Sequence, residues 1–504
     1  MSSFSTNFRN LLHKAEFGLT SKMALLLFFL LWVSTACNQP KLEVMSTTES
    51  ASWIAGGNAN VISSVEVPDV TVETSNGLQT IDGFGTCFNE LGWTSLQRLS
   101  EADRKGIFKE LFEHGAGANF TICRMPVAAN DFARGWYSYD ETEGDFDMSD
   151  FSIDNDRETL IPYIKKALKY NPNLKIWASP WSPPQWMKYN KHYAARSLLG
   201  NSNFHSDGWG MDFRGINNGL PPEREGKEGT DMFIQEARYF EAYALYFSKF
   251  IEEYKAEGID IFMVMPQNEF NSAQVFPSCT WTAAGLAKFI GGFLGPAMEK
   301  QNVEVMFGTM ERANEALVDT VLKDEEAKKY IGGIGFQWAG KEAIPGIHQR
   351  YPVMTLYQTE QECGNGKNDW ENCIYSWELM KHYLSNGANA YLYWNTSLDE
   401  GGISTWGWKQ NSLISVDTTN NSFKYNHEYY LLKHVSHFVR PGAKLLKSSG
   451  SFNNLLAFQN SDASLVLVVQ NDQKTPRQLN LKIDDRFYNL ELTGDSFTTL
   501  KIIP

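Results

Sequence analysis

The chain has 504 residues, 42% of them apolar and 13% aromatic, a composition that excludes a disordered or fibrous protein and leaves room for one large packed domain with a smaller one beside it. Lys and Arg number 45 against 59 Asp and Glu, a formal charge of −14, so the attraction that draws proteins to phosphate backbones is missing and nucleic acid is not an expected partner. The 15 tryptophans exceed what a core of this size needs, and flat indole faces suit ligands that present C–H surfaces, as sugar rings do.

Lys22 precedes eleven apolar residues, Met23 to Val33, followed by Ser34-Thr35-Ala36-Cys37. A charge, a short apolar core and small residues in that order make a signal peptide, and the core is too short to span a bilayer. The cysteine directly after the small residues resembles a bacterial lipobox. That resemblance implies removal of residues 1–36, lipidation of Cys37, and export to a bacterial outer membrane with the lipid as the chain's sole membrane contact. Plain cleavage after Ala36 is the alternative.

Residues 37–59 mix Ser, Thr, Asn, Gly and Glu with little periodicity and read as a flexible tether. Residues 60–79 read as strands that join a distant β-domain. An exported chain can form disulfides, and of Cys87, Cys123, Cys279, Cys363 and Cys373 at least one stays free. Cys363 and Cys373 are close enough to pair, although spacing does not determine connectivity. No CxxC, HExxH or Cys/His spacing points to a metal, and no cofactor is expected.

Residues 80–441 alternate strand and helix patterns. Eight short, largely apolar runs stand out: Thr80–Phe88, Phe120–Val127, Leu174–Ser179, Asp260–Pro266, Val303–Thr309, Ile331–Trp338, Val353–Gln358 and Ala388–Trp394. Continuous apolar runs suit strands buried on both faces. Helical patterns lie between and after them at Glu101–His114, Arg157–Lys169, Met232–Glu257, Ala283–Lys300, Asn314–Tyr330, Tyr375–Ser385 and Asn426–Phe438. The repeat predicts a (β/α)₈ TIM barrel, with an open doubly wound sheet as the alternative. No complete GxGxxG or GxxxxGK[ST] follows a strand, since Gly83-Phe84-Gly85 lacks a third glycine, so a nucleotide site is unsupported. The insert Pro183–Asp231 between the third and fourth runs is expected to overhang the barrel mouth. Residues 442–504 change to short alternating runs and predict an antiparallel β-sandwich.

Barrels of this kind place reacting groups at the C-terminal ends of their strands. The fourth run ends Gln267-Asn268-Glu269 and the seventh Gln358-Thr359-Glu360, so two carboxylates face one pocket. A retaining glycosidase needs two carboxyls roughly 5–5.5 Å apart, and an inverting one a wider gap. Sequence spacing does not measure that gap.

Four strand-end motifs resemble glycoside hydrolase family 30, the retaining β-glycosidases that include glucosylceramidase: Ile122-Cys123-Arg124-Met125-Pro126, Ala178-Ser179-Pro180-Trp181-Ser182-Pro183-Pro184, Asn268-Glu269 and Thr359-Glu360. The resemblance runs from about Ile81 to the C-terminus. It implies Glu269 as acid/base and Glu360 as nucleophile. Beside it, Asn268 suits the sugar 2-hydroxyl, a contact that strengthens in the transition state, and Arg124 suits a neighbour that keeps the nucleophile ionised. Arg124 paired with Asp131 is the structural alternative, and Asp131 is itself a candidate for sugar binding. Trp181, Trp338 and Trp394 end strands three, six and eight and are expected to wall the first sugar subsite. Glu362 is the nearest competing nucleophile, and Glu90 and Glu311 also lie near strand ends.

Tyr139-Asp140-Glu141 resembles the place where glucosylceramidase-like members hold sugar hydroxyls with an acid, assigned here to Glu141 with Asp140 as the alternative. The run Gln337-Trp338-Ala339 departs from the His-Trp-Tyr of glucosylceramidases, while Asn395–Asn411, with Trp406 and Trp408, resembles the β-1,6-glucanase branch. The expectation is therefore an exported, metal-independent retaining hydrolase of β-linked glucose, favouring endo action on β-1,6-glucan. A β-glucosidase or β-xylosidase is the near alternative, and a surface glycan-binding lipoprotein without activity the distant one. No GxSxG supports an esterase or peptidase.

Overall fold

The computed structural model describes residues 39–199 and 217–504. The expected signal peptide, Cys37 and the middle of the 183–231 insert lie outside the described residues. Eight parallel strands close into a barrel: β1 Gly83–Cys87, β2 Ile122–Val127, β3 Lys175–Pro180, β4 Ile261–Val264, β5 Glu304–Met310, β6 Ile331–Gln337, β7 Thr355–Glu360 and β8 Ala388–Asn395, with β8 pairing β1. Each lies within or against one of the eight apolar runs, and the residues of β2 are all buried, as strands covered on both faces require.

Gly85 is set by this closure. A Cβ there would sit 1.6 Å from the carbonyl oxygen of Ile122 on β2, so only glycine lets the two strands approach. The Gly83-Phe84-Gly85 run is thus a strand contact and not a phosphate loop.

The helices follow with several differences, among them an added helix Glu90–Gln97 and a division at Thr159 of the one expected at Arg157–Lys169. The predicted helix Asn314–Tyr330 is divided into Glu315–Lys323 and Glu325–Lys328, because Asp324 caps the second piece by accepting from the N–H groups of Glu326 and Ala327. Between β6 and β7 a helix Ile344–Arg350, unexpected from sequence, begins with Pro345 in its first turn, where a missing N–H costs nothing.

The six C-terminal runs form antiparallel strands from Lys444–Ser449 to Ser496–Ile503, joined by four strands that precede the barrel. Here the tether expected at 37–59 is corrected. Lys41–Thr48 is a full strand, paired residue for residue with Ser496–Ile503, and Ile54–Ala55 and Ala59–Ile62 extend the same sheet. Only Val44 and Thr47 of the first strand are buried, so its apolar signal is weak; ladder bonds to the far end of the chain hold it in place. The sandwich has its own core, including Val72, Val469, Leu481, Leu490 and Leu500. It meets the barrel where Phe458 packs edge-on to Phe84 of β1 and Phe497 against Trp370 and Trp377.

Candidate active site

Arg124 on β2 organises the barrel mouth. Its side chain is fully buried, and a buried guanidinium needs its donors used. Nη1 donates to Glu360 Oε2 at 2.8 Å and to the carbonyl of Thr359 at 3.3 Å, and Nη2 to Asn268 Oδ1 at 2.6 Å and Ser179 Oγ at 2.9 Å. Its plane lies 4.3 Å from the ring centroid of Trp181. The partner of Arg124 is therefore Glu360 and not Asp131.

Glu360, at the end of β7, is buried and accepts three bonds. Besides Arg124, Gln337 Nε2 donates to Oε2 at 3.1 Å and the indole N–H of Trp338 to Oε1 at 2.9 Å. Burial raises its pKa, with Arg124 the main opposing influence, followed by the bond from Trp338. Glu269 has much less support. Residue 269 turns into the left-handed backbone region at φ +49°, a conformation costly for a non-glycine residue, with its N–H donating to Thr309 Oγ1 at 2.8 Å. Gln337 Nε2 donates to Oε1 at 3.2 Å, and Oε2 is buried with no partner among the described residues. Burial, then the charges of Glu311, Glu360 and Asp131, push its pKa well above the ordinary range. Both carboxyls are raised by burial, Glu269 well above the ordinary range and Glu360 against the pull of Arg124, an order that suits Glu269 to keep a proton and Glu360 to give one up.

Asn268 turns its Oδ1 to Arg124, Thr309 Oγ1 and Gln337 Nε2, which leaves Nδ2 without a hydrogen bond among the described residues and available to a ligand. Asp131 is buried and takes the indole N–H of Trp394 at 3.2 Å, while its other oxygen is unpartnered. Trp181 and Trp394 stack on each other at 5.0 Å and are almost entirely buried, so they present little free face. Trp338 is the partly exposed indole, edge-on to Trp408 of the β8 loop at 6.2 Å.

Three acids weighed from sequence fall elsewhere. Glu141 is exposed and its Oε1 accepts from Ser138 N–H, Ser138 Oγ and the hydroxyl of Tyr193; none of its bonds joins the network around Arg124. The structure thus sets Glu141 apart from the Arg124 network, and the open carboxyl oxygen beside the tryptophans belongs to Asp131. Glu362 pairs with Lys341 at 2.7 Å and accepts from the Tyr375 hydroxyl at 2.8 Å, which spends it as a nucleophile. Glu90 is tied to Arg134, Asn155 and Thr159.

Gln337 and Thr309, absent from the sequence candidates, complete the network. Glu311 at the end of β5 pairs through Oε1 with Arg312 at 2.7 Å, has a buried and unpartnered Oε2, and is pushed up by burial to about 7. The insert packs over this rim: Tyr193 stacks on Trp136 at 5.7 Å, Trp136 meets Trp406 at 4.7 Å, and Glu228 reaches Arg312. The five described cysteines, Cys363 and Cys373 included, are buried free thiols. No group of three or more His, Cys, Asp or Glu among the described residues is placed to hold a metal ion, and no described helix is long and apolar enough to cross a membrane.

Comparison with known proteins gives concordant matches. The glycosyl hydrolase family 30 TIM-barrel domain matches residues 81–209 and 225–439, and the family 30 beta sandwich domain residues 442–500. A protein of Caenorhabditis elegans described as putative glucosylceramidase 1 is 30% identical over 429 residues, 80% of this chain and 76% of that one. An endo-1,6-beta-D-glucanase of Neurospora crassa is 24% identical over 464 residues, 87% and 88% of the two chains. The crystal structure of SrfJ from Salmonella typhimurium has the same fold, with a TM-score of 0.78 and 24% identity over 92% of this chain and 99% of that one.

Proposed function

The chain belongs to glycosyl hydrolase family 30, and from that premise we propose that it is a retaining β-glycosidase that cleaves β-linked glucose, with β-1,6-glucan as its substrate. One observation carries the retaining assignment. A single nitrogen, Gln337 Nε2, lies 3.2 Å from a Glu269 oxygen and 3.1 Å from a Glu360 oxygen, so those oxygens are at most about 6.3 Å apart, below the roughly 6.5–9.5 Å that an inverting enzyme needs for its water.

The chemistry follows from the two environments. Glu360, ionised against Arg124, attacks the anomeric carbon while Glu269 gives its proton to the departing glycosidic oxygen. An ester forms at Glu360, the C–O bond to the leaving sugar breaks, and Glu269 becomes a carboxylate. Loss of the neighbouring charge on Glu360 lowers the pKa of Glu269 at the moment it must act as base. A water then gives its proton to Glu269, attacks the anomeric carbon and frees Glu360. Asn268 Nδ2 is left to bind the 2-hydroxyl, and Asp131 with Trp394 to receive hydroxyls deeper in the pocket.

The substrate reading is supported by the glucanase relative and by the β8 loop, which sets Trp408 beside Trp338. A β-glucosidase of the glucosylceramidase kind is the second reading, favoured by the higher identity of the C. elegans relative. Export and a lipid at Cys37 remain proposals on the Ser34-Thr35-Ala36-Cys37 motif, tested by palmitate labelling of wild type against Cys37→Ala. The decisive experiment incubates the protein with linear β-1,6-glucan and follows products by chromatography beside Glu360→Gln. Mixed oligomers early in the wild-type reaction alone support the glucanase; no release, with turnover of aryl β-glucosides, moves the assignment to the second reading. Activity surviving in Glu360→Gln overturns the nucleophile.

A further inference from the structure

Among the described residues Gln337 is the one side chain bonded to both catalytic carboxyls, and its orientation is fixed from behind. Arg124 Nη1 faces its Oε1 at 3.4 Å and can only donate, and Thr359 Oγ1 lies 2.9 Å from the same oxygen. The amide nitrogen is thereby turned to the carboxyls. It carries two protons and faces three acceptors at nearly equal distances: Asn268 Oδ1 at 3.1 Å, Glu269 Oε1 at 3.2 Å and Glu360 Oε2 at 3.1 Å. One acceptor always goes short.

We infer that Gln337 is a positioning residue for the acid/base step, directing the Glu269 proton onto Oε2 and transferring its own hydrogen bonding from Glu360 to Glu269 as the negative charge moves. This rests on the retaining reading above. An acid oxygen that accepts a hydrogen bond is the carbonyl oxygen of the protonated group, so acceptance at Oε1 puts the proton on Oε2, the oxygen with no partner among the described residues. Before reaction the charge is on Glu360, and the Gln337 N–H bond to it is the charge-assisted one. As the ester forms at Glu360 and the Oε2 proton passes to the glycosidic oxygen, the charge appears on Glu269, and the bond from Gln337 to Oε1 becomes the strong one. In the second half, water protonates Oε2, the ester breaks and the preference returns. An amide can follow the charge both ways because it neither takes nor gives a proton. The other charges facing the bridge are Arg124, Asp131, Glu311 and Arg312.

The test uses the full chain and a series of aryl β-glucosides from dinitrophenyl to phenyl. A dinitrophenolate leaves without protonation, so it bypasses the acid. In Gln337→Met, kcat/KM is expected to fall by about 100-fold or more for the phenyl glucoside and by less than about tenfold for the dinitrophenyl one. Both limbs of the pH profile move to higher pH, because the bond that favours each carboxylate is gone. An equal loss across the series with unmoved limbs makes Gln337 a packing residue and overturns the inference. Should Gln337→Met fail to give a wild-type melting transition, Gln337→Asn is measured the same way, its donor withdrawn by one methylene, and the same divergence is required. A wild type that turns over neither this series nor linear β-1,6-glucan overturns the underlying reading instead; one that turns over the glucan alone is measured on the same aryl series of the β-1,6-linked diglucoside, where the same divergence is required.

Discussion

Two buried acid clusters in the same barrel make opposite use of the same physics. Behind the β2 loop, Asp156 is fully buried and accepts hydroxyl protons from Tyr137, Tyr139 and Tyr254; burial raises its pKa to about 6 and those bonds hold it from going higher. At the mouth, Glu269, Asp131 and Glu311 are also buried and also raised, yet each keeps an oxygen with no partner among the described residues. A raised pKa therefore does not separate a working site from a structural one here. Between these two clusters the difference is unspent hydrogen-bonding capacity, and at the mouth it comes with a strained backbone at Glu269 and Trp338, both at positive φ. The first cluster stabilises the fold, and the second withholds stability until a ligand supplies the missing partners.

The comparison is tested most severely by Glu269→Gln. Its expected loss is about 10³-fold in kcat on an unactivated glycan, within the range for removal of a general acid, with a melting temperature equal to or above wild type. The amide replaces a carboxyl that burial, Glu311 and Glu360 already hold neutral, keeps an acceptor for Gln337, and costs no satisfied bond at Oε2. A variant that melts several degrees lower would show that Glu269 holds the fold together, and the contrast with Asp156 would be lost.

Asp156→Asn should behave in reverse, with kcat within about twofold of wild type and unfolding free energy lower by about 1–3 kcal/mol, the cost of disturbing a buried hydrogen-bonded cluster. The deficit has a defined pH dependence. A carboxyl at about 6 in the folded chain and at its ordinary 3.8 once unfolded binds its proton more tightly when folded, so its contribution to wild-type stability falls as pH rises from about 4 to about 6. Asparagine lacks that dependence. Denaturant titrations should show the deficit widest near pH 4 and narrower above pH 6; a deficit that widens with pH would mean that the tyrosines hold the charged form better than water does.

The sequence made the barrel readable for a reason that fails elsewhere. Strands covered on both faces are continuous apolar runs, and eight of them in one rhythm admit few architectures. Lys41–Thr48 has the opposite texture, with two buried positions out of eight, and its partner is at the other end of the chain. The helix Ile344–Arg350 hid behind Pro345-Gly346, a pair that reads as a break yet is tolerated in a first helical turn. In the site, Glu269 and Glu360 were legible because strand ends converge. Gln337 was not, since nothing in Gln337-Trp338-Ala339 shows that two other strands bring three acceptors to one amide. The acids of Tyr139-Asp140-Glu141 look equivalent in sequence, while the fold buries Asp140 and leaves Glu141 exposed.

That separation gives the smallest effect and the finest test. Glu141→Gln should leave kcat/KM within about twofold, a surface change of no more than about 0.5 kcal/mol, because its carboxylate is exposed and already bonded to Ser138 and Tyr193. Asp131→Asn, ten residues upstream, should instead raise KM and lower kcat together, since its open oxygen lies beside Trp394. Both variants keep a hydrogen-bonding side chain of nearly unchanged volume, so the difference between them reads position alone. If Glu141→Gln were the damaging one, Tyr193 would have to move on binding substrate and release that carboxylate into the pocket, and the rim formed by Trp136, Tyr193 and Trp406 would be a moving part of the site.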